Sequence, residues 1–223
     1  MTTIRQISKL VAPLTTPASA LARTAEALIL RPLHHVINRL VVWRTSGADH
    51  FRVIWHCCPA FAETFTTEWD VMFYPNDHPL WFWSTPNLHE TFIACVNGEI
   101  LPRMQAAQTI NGFVQHVSEP EFALRRLVEH VDTDIRIDIA RGDLDTARTK
   151  CRGLHERCTR APDSYWGQRW RRTTDRAGPL LEAGDRVALI ALLHEWEREL
   201  IKELSLEAIY EPTPFPLELA AGA

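Results

Sequence analysis

The spacing of apolar residues changes once along this chain, near Val117, and that change limits the fold more than any single motif does. Before it come short runs rich in β-branched and aromatic residues: Leu28 to Leu30, Val36 to Ile37, Leu40 to Trp43, Phe51 to Trp55 and Val71 to Tyr74. Pro32, Ser46-Gly47, Pro59 and Pro75-Asn-Asp77 punctuate them. Runs of this length and composition suit the pleated, half-buried surface of strands. After Val117 the apolar residues recur at helical spacing, as in Leu124, Leu127, Val128 and Val131. The expected class is therefore α+β: an antiparallel sheet with helices in the N-terminal half and an all-helical C-terminal half. The matching division is an α+β domain over 1–117 and a helical domain with an extended proline-rich tail over 118–223.

Local signals refine this. Thr45-Ser-Gly-Ala-Asp49 reads as a hairpin loop joining strands near 36–44 and 50–57, because glycine supplies the positive φ of a tight connection. Alternation along the second strand sends Phe51, Val53 and Trp55 to one face, with Arg52 and Ile54 on the other. Helical spacing is expected over Ile4 to Leu14, in a short segment from Ser19 to Glu26, and over Thr109 to Val117. Another helix, capped by Ser84 or Thr85, should carry Leu88, Phe92, Val96 and Ile100 on its buried ridge, with Pro102 kinking or ending it. Ser118-Glu-Pro-Glu121 is a capping-box pattern that opens the helical half.

Asp134-Ile-Arg-Ile-Asp-Ile139 alternates like a strand, yet Val128, Val131, Ile135 and Ile139 also fit a helix. Helix is the reading adopted, because Gly142-Asp143 and Gly184-Asp185 each place a left-handed helix end before an aspartate able to cap the next helix. The last long helix, from Asp185 to about Ala208, should face Val187, Ile190, Leu193, Leu200, Ile201 and Leu204 inward. Prolines at 212, 214 and 216 argue for an extended tail. That tail is expected to dock on an aromatic groove of Trp69, Tyr74, Trp81 and Trp83.

The chain has 223 residues, 24 basic and 28 acidic, for a formal charge of −4. This disfavours nucleic acid as an obligatory partner, since affinity for a phosphate backbone is built from excess Lys and Arg. Only Lys9, Lys150 and Lys202 are lysines, a bias toward arginine that suits a bacterial source. No run of eighteen apolar residues occurs and the first nine residues lack a secretory h-region, so the expectation is a cytoplasmic protein without a membrane partner. Five cysteines without a C-x-x-C spacing fit reduced thiols better than a disulfide framework or a zinc knuckle.

Four features together, the Ile4-Arg-Gln-Ile7 start, Glu99-Ile-Leu-Pro-Arg103 followed by Thr109, the Gly-Asp helical hairpins and the Glu211-Pro-Thr-Pro-Phe-Pro-Leu-Glu218 ending, resemble a group of uncharacterised bacterial proteins with a small aromatic-rich α+β domain of unknown function followed by helices. The resemblance spans nearly the whole chain and implies no chemistry.

Glycine-rich phosphate loops, G-x-S-x-G and H-E-x-x-H do not occur. The densest polar group is His50, His56, Cys57, Cys58, Glu68, Asp70, Asp77 and His78, without a ligand spacing that sets a metal geometry. No metal and no cofactor are expected. Eleven of the twenty aromatic residues lie between Trp43 and Trp83, as core or as a ligand wall. In the helical half, Arg169, Arg172 and Arg176 share a stripe that either holds an acidic partner or pairs with neighbouring acids.

The leading expectation is a non-enzymatic, immunity- or adaptor-like protein-interaction module that binds another protein through Trp69, Tyr74, Trp81, Trp83, Arg169, Arg172 and Arg176. The alternatives are an enzyme with a His/carboxylate site drawn from His50, His56, Glu68, Asp70 and His78, and a structural homodimer formed through the helical half.

Overall fold

The computed structural model describes residues 2–24, 27–45, 49–64, 71–73, 80–119, 131–160 and 165–221. They divide into two compact units. The first comprises Met1–Pro59, Thr66–His116 and Glu207–Glu211, and the second Ala60–Phe65, Val117–Leu206 and Pro212–Ala223. Near the expected junction the boundary falls between His116 and Val117, and two short segments belong to the unit that sequence position would not assign them.

The sheet unit is antiparallel, as the strand patterning indicates. Its path is β1 (Leu21–Arg23), β2 (Leu28–Leu30), β3 (Val36–Arg44), β4 (His50–Pro59) and β5 (Val71–Phe73), and β6 (Trp81–Phe82) also pairs with β4. The expected Ser19 to Glu26 helix is absent: Leu21 to Arg23 pair instead with Leu28 to Leu30. Ladder bonds and the burial of Leu21 win there over a helical turn too short to be stable alone.

Nine residue pairs join β3 to β4, from Val36 opposite Pro59 to Arg44 opposite Phe51. Because facing residues share a side, this register collects Leu40, Val42, Phe51, Val53 and Trp55 on one face, all buried. Asn38 lies on that face too, and its Oδ1 accepts the Trp55 indole N–H at 2.9 Å, so the indole enters the core without losing its hydrogen bond. The Trp55 ring stacks at 4.6 Å on His116 of α4 (Ile110–Val117).

At the amino end, α1 (Ile4–Val11) is closed by a capping box between Thr3 and Gln6 and continues into a 3-10 turn over Ala12–Leu14. The helix expected after Ser84 begins later, as α2 (Leu88–Cys95) behind Asn87, whose left-handed φ of 56° marks the entry. Nor does Pro102 end it: a π-turn over Val96–Ile100 leads directly into α3 (Leu101–Ala106). Leu88, Phe92, Val96, Ile100 and Met104 are all buried at a strict four-residue repeat. On an ideal α-helix that repeat drifts about 160° over its length. The wider π-turn takes up the drift and seats the proline in the first turn of α3, where its missing N–H costs least.

The helical unit contains α5 (Val131–Arg141), α6 (Leu144–Arg160), α7 (Tyr165–Ala183), α8 (Arg186–Glu203) and α9 (Pro216–Ala221). The segment 134–139 is thus helical. Gly142 and Gly184 take φ values of +87° and +66°. In both, the glycine N–H and the following aspartate N–H return to the helix just ended, the reciprocal Schellman pattern. Asp185 caps α8 through Ala188 N–H at 3.0 Å, whereas Asp143 lies 3.9 Å from Arg141. Val187, expected inside, is 78% exposed in the first turn of α8, and Leu192 and Trp196 fill the buried ridge.

The tail is only partly extended. Ile209 and Glu211 bond to Leu33 within the sheet unit. Beyond Pro214, a short helix forms with Pro216 in its first turn, where the fixed φ of proline suits a helix start. Phe215 is fully buried, but against Phe61 at 5.4 Å and His194 at 4.8 Å, not the expected tryptophan groove. Glu218 fastens the turn by accepting from Phe215 N–H at 2.8 Å and from His194 Nε2 at 2.7 Å.

Two stability outcomes follow. A Cβ on Gly112 would fall 1.9 Å from the Ala106 carbonyl oxygen, while none of the atoms around Gly98 or Gly153 comes within 4 Å of one. Gly112→Ala should therefore lower stability by about 1–3 kcal/mol, whereas Gly98→Ala and Gly153→Ala should raise it by roughly 0.5–1 kcal/mol. Urea denaturation of the three variants checks this, and a neutral Gly112→Ala would contradict the close approach. Phe215→Ala should cost about 3–5 kcal/mol, and an unchanged melting curve would mean that the buried tail contributes nothing to the helical unit.

Candidate functional site

Register decides the fate of the polar group in the sheet unit. His50 and His56 both lie on β4, six residues apart and so on the same face, yet about 20 Å apart along an extended strand. They cannot share a metal ion or a reacting atom. His56 is buried, and His50 sets its ring 5.9 Å from Phe82. Glu68, Asp70, Asp77 and His78 lie outside the described residues, and among the described residues no group of three or more His, Cys, Asp or Glu side chains could hold a metal ion. Cys57 is fully buried, and burial, with Cys58 adding to it, pushes its thiol well above the ordinary range, which leaves it a protonated, poor nucleophile.

The aromatic candidates separate by depth. Trp81 is core, with Phe92 at 5.5 Å and Phe51 at 6.1 Å. Trp83 is half-buried 4.6 Å from Phe51, and its indole N–H donates to Thr2 Oγ1 at 2.8 Å. These four rings form a small aromatic cluster. Trp69 and Tyr74 lie outside the described residues. Trp43, not among the expected binding residues, is the exposed one: 54% of it faces solvent at the hairpin end of β3. Directly opposite stands Arg52, also exposed, so the indole and the guanidinium share one face of the sheet. Among the described residues neither Arg52 nor the neighbouring Arg44 meets a carboxylate. The hairpin register is the signal that could have singled out Trp43, because it places the residue beyond the aromatic cluster and across from a cation.

In the helical unit the arginine stripe faces its own acids. Arg169 Nε lies 3.3 Å from Asp132 and 3.8 Å from Glu63, and Arg172 reaches Glu63 at 3.1 Å. Arg176 pairs with Glu195 at 2.6 Å. Beneath them Arg136 is entirely buried, donating to Thr173 Oγ1 at 2.9 Å and to the Phe61 carbonyl at 2.9 Å, with its guanidinium 3.9 Å from the centre of the Trp196 ring. Burial pulls Arg136 down to about 10, with Asp132 and Glu63 opposing that pull, so it stays charged at neutral pH. The sequence shows Arg136 only as the polar member of an apolar run, and its partners come from residues 61, 173 and 196. A charge buried with this many partners organises packing.

No family model, curated protein or solved structure matches the chain. Among the described residues no helix is long and apolar enough to cross a membrane.

Glu63 carries a testable pH dependence. Its side chain is 8% exposed, and burial is the leading cause that raises its carboxyl above the ordinary 4.5 despite Arg136, Arg169 and Arg172. With the folded value above the unfolded one, the unfolded chain loses its proton first as pH rises. Stability falls across that interval and the loss persists above it. Glu63→Gln removes the titration, so the stability of the wild type relative to the variant should decline from about pH 4.5 upward. Urea midpoints measured across pH check it, and parallel curves would show that Glu63 is not shifted.

Proposed function

We propose that this chain is a non-enzymatic protein-interaction module of the immunity or adaptor kind, acting in the bacterial cytoplasm, with its contact face around Trp43 and Arg52. The observation that carries the reading is the pairing of a 54% exposed tryptophan with an exposed arginine directly opposite it on a rigid ladder. Tryptophan and arginine are the residue types most often found at energetic centres of protein interfaces, because each offers a large contact area at small conformational cost. A two-stranded ladder supplies the preorganisation that such a centre needs. The free guanidinium groups of Arg52 and Arg44 make the complementary surface acidic. The cytoplasmic setting is supported by five free cysteines, four of them buried.

The expected Arg169, Arg172 and Arg176 surface enters this reading differently, since each already faces an acid in its own unit. A partner drawn to them would have to displace those acids. Capture from an extract of the source organism, followed by quantitative mass spectrometry, tests the assignment. Trp43→Ala combined with Arg52→Glu should lose at least ten times as much of the captured partner as Arg172→Ala does. Equal retention by all forms would remove the Trp43 face from the interface.

A further inference from the structure

The outer flank of β3 shows how a partner could use that face. β4 runs along all nine residues of β3, but on the opposite flank β2 pairs only with Arg39 and Leu40. Among the described residues no strand pairs with Val41 to Arg44 on that side. Exposure follows the same step: at most 2% for Val36, Ile37, Asn38 and Leu40, 8% and 9% for Val41 and Val42, then 54% for Trp43. In an antiparallel strand every second residue directs both its N–H and its C=O to a given flank, so half of Val41 to Arg44 present unused ladder groups there. Trp43 with Arg52 stands on one side of this flank and Arg44 on the other. The groups able to bond a backbone and the groups able to read side chains are thus contiguous.

Resting on the interaction reading above, we infer that an extended acidic segment of the partner adds to the sheet as a strand beside Val41 to Arg44, its carboxylates meeting Arg52 and Arg44 and an apolar side chain lying on Trp43. The added strand continues the line of β2. Backbone hydrogen bonds supply affinity that does not depend on sequence, and alternate side chains supply the choice of an acidic, part-apolar sequence. Acidity is the committed feature because the two exposed guanidinium groups meet no carboxylate among the described residues, and a like-charged segment would be repelled.

The probe is a capped nonapeptide of alternating glutamate and valine, compared with two analogues that are N-methylated either at every glutamate or at every valine. Successive residues of a strand point their N–H groups to opposite edges, so each analogue blocks one edge and leaves every side chain in place. Titration into the full-length isotope-labelled chain should show the parent peptide protecting the amides of Val41 to Arg44 from exchange. One analogue should bind at least tenfold more weakly and the other about as well as the parent. Trp43→Ala should also weaken the parent peptide at least tenfold. If both analogues bind like the parent, recognition runs through side chains alone: strand addition is overturned while the Trp43 and Arg52 face stands. If the parent does not bind, or both analogues lose binding equally, strand addition is likewise overturned, and the face itself is then judged by the capture comparison of the double variant.

Discussion

The nine-pair ladder between β3 and β4 is the constraint on which the sheet unit depends. Side chains on a strand alternate, so a slip of one residue would turn Phe51, Val53 and Trp55 out of the core and bring Arg52 into it. The cost would be several large apolar side chains, each contributing roughly 1.5–3 kcal/mol on burial. Everything beside the hairpin is set by that choice. Asn38 can satisfy the Trp55 indole, Phe51 can meet Phe92 and Trp81, and Trp43 is left at the exposed end facing Arg52. Core and surface are consequences of one register.

The helical unit is organised differently, around charge. Arg136 would be an expensive residue to bury alone, since a guanidinium taken from water must recover its hydrogen bonds and its counter-charge. It recovers them from Thr173, the Phe61 carbonyl, the Trp196 ring face and the nearby carboxylates of Asp132 and Glu63. The arrangement draws residues 61 and 63 into a unit otherwise built from the second half of the chain. Glu63 is held there with its carboxyl raised, so the same network that orders the segment makes the unit sensitive to pH.

These two designs bear on function through what each leaves unused. In the helical unit the stripe of Arg169, Arg172 and Arg176 is engaged with Asp132, Glu63 and Glu195. The sheet unit leaves Trp43, Arg44 and Arg52 exposed at the hairpin end, on a ladder rigid enough to present them. An interface centred there asks for an acidic partner, and the same positions border the stretch of β3 that β2 does not cover.

Much of the fold was legible in the sequence. The hairpin loop at 45–49, the helical nature of 134–139 and the Gly142 and Gly184 helix ends follow from glycine's tolerance of positive φ and from the spacing of apolar residues, both local properties. Other features were not. The strand at Leu21 to Arg23, the π-turn that carries a helix through Pro102, and the short helix after Phe215 depend on neighbours distant in the chain, which override weak local preference. The candidate site divides in the same way. Residue type marked tryptophans and arginines as the groups that could bind, but only the tertiary structure decided that Trp81 is core, that Arg169 is neutralised at home and that Trp43 stands free. Burial and pairing are properties of the whole packed chain, and no local window of sequence contains them.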